Sequence, residues 1–138
     1  MANPVRLEYP SQVRRVEPMW MKKASVAGSK GDWLTIVAGY ALRAITTTPF
    51  VIGILGATWT NDATNSPVSV ETDELGIYKM DVTGTLVQAT HVGNAYDFTD
   101  HVTLNLSGTT YKPLVVVGVM PDGTALVRIN KHLSSGSL

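Results

Sequence analysis

Apolar residues in this chain come in short runs, and the breaks between them are glycine, proline or threonine clusters. The densest stretch is residues 33–55, WLTIVAGYALRAITTTPFVIGIL, which divides into apolar runs at 33–37, 41–45 and 50–55. The breaks are Ala38-Gly39-Tyr40 and Thr46-Thr47-Thr48-Pro49. β-Branched residues dominate the runs, while Gly39 and Pro49 stand where a strand stops. Three consecutive antiparallel strands are predicted here, supplying much of a β core.

The rest of the chain follows the same grammar. Met19-Trp20-Met21-Lys22-Lys23-Ala24-Ser25-Val26 reads as a first strand, followed by a hairpin loop with Lys30 at its charged tip. That Gly-Ser-Lys-Gly setting lacks the spacing of a phosphate-binding loop, and no helical pattern follows it. Residues 57–67 are polar and aperiodic, a loop carrying the lone Trp59. Residues 68–72, 77–82 and 102–106 alternate apolar with polar, as half-buried strands do. After the Thr83-Gly84 break, residues 85–89 read as a continuing strand, and residues 91–101 as a loop. The clearest local signal is the last hairpin, LVVVGVM and ALVRIN across Pro121-Asp122-Gly123-Thr124. No helical period extends beyond two turns. The sum is an all-β domain, a small barrel or sandwich of roughly eight to ten short strands.

The ends read differently. Pro4, Pro10 and Pro18 recur through residues 1–18, which disfavours a long helix or a central strand there. Val5, Leu7, Tyr9, Val13 and Val16 make the segment more apolar than a disordered tail. An extended N-terminal arm over residues 1–18 that docks on a neighbouring subunit is therefore expected. Residues 19–131 form the β-barrel domain, and 132–138 a mobile polar tail.

Composition narrows the classes. At 138 residues the chain makes one domain, with 44% hydrophobic and only 16% charged residues; such low charge also suits a surface partly covered by partners. With no cysteine, disulfides and thiolate metal sites are excluded. No apolar run approaches the roughly 20 residues of a membrane span, and the start lacks an apolar signal core, so a soluble protein without an export signal is expected. The net charge of zero hides an asymmetry. Residues 1–30 hold six cations against two acids, net +4, and residues 61–101 one cation against seven acids, net −6. Such polarity can steer one copy onto another, or onto a larger acidic assembly.

Catalytic patterns are thin. His91, Asp97, Asp100 and His101 have the right ligand chemistry for zinc but no rigid spacing, and loop polarity explains them better. There is no Gly-x-Ser-x-Gly for a serine hydrolase. Neither an enzyme, a cofactor nor a metal site is expected. Arg14, Arg15, Trp20, Lys22 and Lys23 mimic the basic-aromatic groove of a single-strand binder, but the acidic middle of the chain opposes that reading.

Three stretches, VAGYALRAITTTPFVIGIL, HVGNAYDFTDHVTLN and LVVVGVMPDGTALVRIN, together resemble the decoration (cement) proteins of tailed-bacteriophage heads. The resemblance spans roughly residues 33–130. It implies a β-barrel or β-tulip core on the outer surface of the expanded capsid, cementing the lattice of the major capsid protein. It also implies a homotrimer at local threefold positions, with a dimer as the alternative, and no contact with membrane or nucleic acid. The residues expected at the capsid or subunit interface are Arg6, Tyr9, Arg14, Arg15, Trp20 and Trp59. They are chosen for arm position and for the enrichment of Arg and aromatics at interfaces. The alternative is a small β-barrel module binding a glycan or single-stranded nucleic acid.

Overall fold

The computed structural model describes residues 5–7, 15–59, 61–72 and 75–130, with side chains from Trp20 onward. Tyr9, Arg14 and the tail 132–138 lie outside the described residues. The described residues form eleven strands and one short helix: β1 Val5–Leu7, β2 Arg15–Lys22, β3 Trp33–Val37, β4 Tyr40–Arg43, β5 Gly53–Leu55, β6 Ser66–Thr72, β7 Ile77–Thr83, α1 Gln88–His91, β8 Ala95–Asp100, β9 Thr103–Asn105, β10 Leu114–Val119 and β11 Ala125–Ile129. The fold is all-β, as expected. Its strands form two small barrel-like sheets.

The N-terminal barrel closes in the order β2-β4-β3-β5-β6. β3 and β4 are joined by Ala38-Gly39, and Val37 pairs directly with Tyr40. Both loop residues have positive φ, 51° and 87°, as a two-residue hairpin requires. β5 takes the other edge of β3, so β3 is the middle of the three strands. β6 then links β5 to β2, and the single parallel bridge Lys22 to Ala41 completes the ring. Pro18 is the surprise. It lies within β2, where the register shifts between Glu17 and Trp20. At such a bulge a residue without an N–H breaks no ladder bond.

The second barrel runs β7-β11-β10-β8-β9, and a parallel pairing of β9 with β7 closes it. β7 serves two partners in succession, β1 through Ile77, Tyr78 and Lys79 and β9 through Asp81, Val82 and Thr83. Thus β1 and the start of β2, both inside the segment read as an arm, pair with strands of their own chain. The β10–β11 hairpin forms as expected around Gly123, at φ 87°.

Two expectations are corrected. Residues 85–89 do not continue a strand: Gly84 takes φ 107°, and the single turn α1 follows. Residues 95–100, expected as loop, are β8. Tyr96 and Phe98 do alternate into the core, but Asp97 between them is buried as well. The acidic residue masks the period.

Each barrel has its own core. Leu34, Ala41, Leu55, Trp59, Val68 and Val70 fill the first. The second is built on Tyr78, Phe98, Leu104, Leu114, Val116 and Val127, and it also takes Trp33, Ala44, Val51 and Ile54 from the first barrel. Successive side chains on a strand point to opposite faces. Trp33 and Ile54 therefore enter one core while their neighbours Leu34 and Leu55 enter the other. That two-sided burial is why residues 33–55 are apolar almost throughout.

Candidate interaction surface

Beyond Trp33, the outward face of β3 continues with Thr35 and Val37, and that of β4 contributes Leu42. Over these strands folds the segment 45–50, whose turn is held by Thr48. Its hydroxyl oxygen accepts the Ile45 N–H at 2.8 Å, and its own N–H donates to the Ile45 carbonyl at 3.0 Å. Between strands and loop lies a groove of about 460 Å³ lined by Thr35, Val37, Leu42, Ile45, Pro49 and Phe50 among others. Val37 is 52% exposed and Ile45 59% exposed. In a molecule that encloses most of its large apolar side chains in two cores, this rim of apolar surface has the chemistry of a contact site.

The residues expected at an interface are dispersed. Arg6 and Arg15 have their backbones in β1 and β2. Trp20 is half-buried and packs against the first core. Trp59 is only 9% exposed. Its Nε1–H donates to the Val26 carbonyl at 2.9 Å, and its ring lies on Gly28, where a Cβ would overlap it. The ring folds back over the core, so it presents no exposed anchor. Nothing in the sequence marked Val37 or Ile45 as exposed, because their run reads as core from end to end.

The residues weighed for chemistry have structural partners. Asp97 is buried, and its carboxylate accepts three backbone N–H groups: Thr110 at 3.1 Å, Tyr111 at 2.7 Å and Lys112 at 2.7 Å. It clamps the loop leading into β10, including Lys112 at φ 58°. Asp97→Ala is expected to cost about 2–3 kcal/mol in urea unfolding, since it orphans donors that bond a charged acceptor. Asp97→Asn, which keeps one carbonyl oxygen, should lose less. Asp100 accepts the Val102 N–H at 2.9 Å, and His91 Nδ1 accepts the Val87 N–H at 2.8 Å. Among the described residues no three His, Asp or Glu side chains come together as a metal-binding group, and no helix is long and apolar enough to cross a membrane.

Two polar clusters escaped the sequence reading because their members lie far apart in the chain. Lys22 is buried, and its ammonium donates to the Thr64 carbonyl at 2.7 Å and to Asp62 Oδ1 at 3.1 Å. The Thr64 N–H and then Lys22 hold the Asp62 carboxyl below its usual range. At the joint between the barrels, Asp32 Oδ2 accepts from Arg43 Nε at 2.7 Å and from the Ser29 N–H at 2.8 Å. His101 Nε2 lies 3.7 Å from Asp32 Oδ1.

Comparison with protein-family models, with curated proteins and with solved structures finds no match for this chain.

Proposed function

We propose that this chain is a structural virion protein that binds the outer surface of an expanded tailed-phage capsid and cements the lattice of the major capsid protein. The resemblance of the three stretches to head decoration proteins supports this reading. The observation that carries it is the exposed apolar rim at Val37 and Ile45. An apolar contact of this kind, repeated on a symmetric lattice, adds through multivalency without any single tight site. On this reading the protein acts as a homotrimer at local threefold positions, and its partners are the major capsid protein and its own copies.

Purified protein is expected to bind expanded, undecorated heads of its own phage saturably, and unexpanded shells far less. Absence of binding to expanded heads would overturn the proposal. The double substitution Val37→Asp/Ile45→Asp should weaken binding by about tenfold to a hundredfold, because each side chain is already about half buried and has about 1 kcal/mol of apolar burial left to contribute. Its melting temperature should stay near the wild type's, since both side chains are exposed. Unchanged binding by that variant would remove the rim from the contact while leaving the capsid reading open to the first measurement. A truncation after residue 18 is a poorer probe, since it also removes half of β2.

A further inference from the structure

Asp32 is 1% exposed, and only one of its two carboxylate oxygens is satisfied. Arg43 and the Ser29 N–H both bond Oδ2, whereas Oδ1 is buried without a hydrogen-bond partner among the described residues. A buried acceptor left open is costly. The backbone around Asp32 is fixed: the Leu55 N–H donates to its carbonyl at 2.9 Å, and the Gly31 N–H donates to the Leu55 carbonyl at 2.8 Å. The group facing Oδ1 is His101 Nε2, 3.7 Å away on a ring that is still 30% exposed. The two belong to different barrels. Their segments are already stitched by the backbone, with the Trp33 N–H donating to the His101 carbonyl at 3.0 Å.

We propose that His101 is a proton-operated latch across the joint between the barrels. Neutral imidazole need not present an N–H at Nε2; imidazolium always does. A proton taken up at Nε2 gives Asp32 Oδ1 the donor it lacks, through a ring movement of about 1 Å to charge-assisted hydrogen-bond length. The ring faces Asp32, from the segment leading into β3, whose other oxygen is held by Arg43, from β4. Arg43 lies against the far oxygen, Oδ2, so its opposition is weaker than the attraction of Oδ1. Asp100, the preceding residue, is engaged with the Val102 N–H. The sign follows from linkage. The bond exists only in the folded chain, so a protonated ring adds a contact that the unfolded chain lacks. Stabilisation is therefore present at mildly acidic pH and is lost as the pH rises.

The test compares melting temperatures of the wild type and His101→Gln at about pH 5.5 and about pH 8, a span in which histidine changes charge. The wild type is expected to gain about 3 °C relative to the variant on moving to the lower pH. Taking the difference removes the acid sensitivity that both proteins share. An equal wild-type–variant gap at both pH values would overturn the latch. Asp32→Asn should likewise erase the pH-dependent gain, and should that variant not fold, the His101→Gln comparison decides alone.

Discussion

Trp33→Ala is expected to lose about 4–5 kcal/mol of stability, the largest effect of any apolar truncation in this chain. The indole is completely buried and sits in the second core, although its strand belongs to the first barrel. It meets Tyr78 edge-on, with ring centroids 4.7 Å apart, and Phe98 at 6.3 Å. Trp-to-Ala changes in cores cost about 3–5 kcal/mol, and the figure rises when the surroundings cannot relax into the space. Here one wall of the cavity is β3, ladder-bonded on both edges, and the opposite wall is the second barrel. Nε1 has no hydrogen-bond partner among the described residues, so the loss is one of packing. Domains of this kind are stable by about 5–15 kcal/mol, so the substitution removes between about a quarter and all of that stability. Equilibrium urea unfolding followed by Tyr and Trp fluorescence provides the measurement; a loss below about 2 kcal/mol would mean that the barrels can slide together.

Gly53→Ala should be comparably severe, for a different reason. Gly53 begins β5 at φ 149°, and a Cβ there would overlap the Glu71 carbonyl oxygen and lie 3.0 Å from its carbon. Neither atom can yield, because both belong to the backbone of β6. The ladder through Ile54 and Leu55 would have to open to make room, and those two residues feed the two cores. A loss of about 3–4 kcal/mol is expected, combining a disfavoured φ with strand displacement. Gly39, also at positive φ, has open space where a Cβ would stand, with nothing within 4 Å. Alanine there tests φ strain alone and should cost about 1 kcal/mol. The contrast between the two substitutions, read in the same unfolding assay, separates collision from conformation.

How far the chain announced this architecture depended on whether a signal was local. The hairpin through Gly123, the Ala38-Gly39 turn and the alternating residues of β6 and β7 carry their geometry in adjacent residues, and all were legible. β8 was hidden because Asp97 occupies a core position for the sake of three N–H groups 13 to 15 residues away. Pro18 argued against a strand that in fact forms around it, since only the partner β6 shows that a bulge falls there. The apolar density of residues 33–55 indicated burial but not that it was burial on two sides. Nor could it show that Val37 and Ile45, at the ends of two of those runs, would emerge into solvent. The Asp32–Arg43–His101 cluster joins three distant segments and had no sequence signature at all.

The two-sided strands also have a consequence for the order in which the protein is made. Once residue 72 has left the ribosome, every strand of the first barrel exists. Yet Trp33, Ala44, Val51 and Ile54 wait for residues 77–129 to cover them. A nascent chain halted in between carries the future joint as an open apolar face, the feature that draws partly made proteins into aggregates. The first half is thus tied to prompt completion of the second.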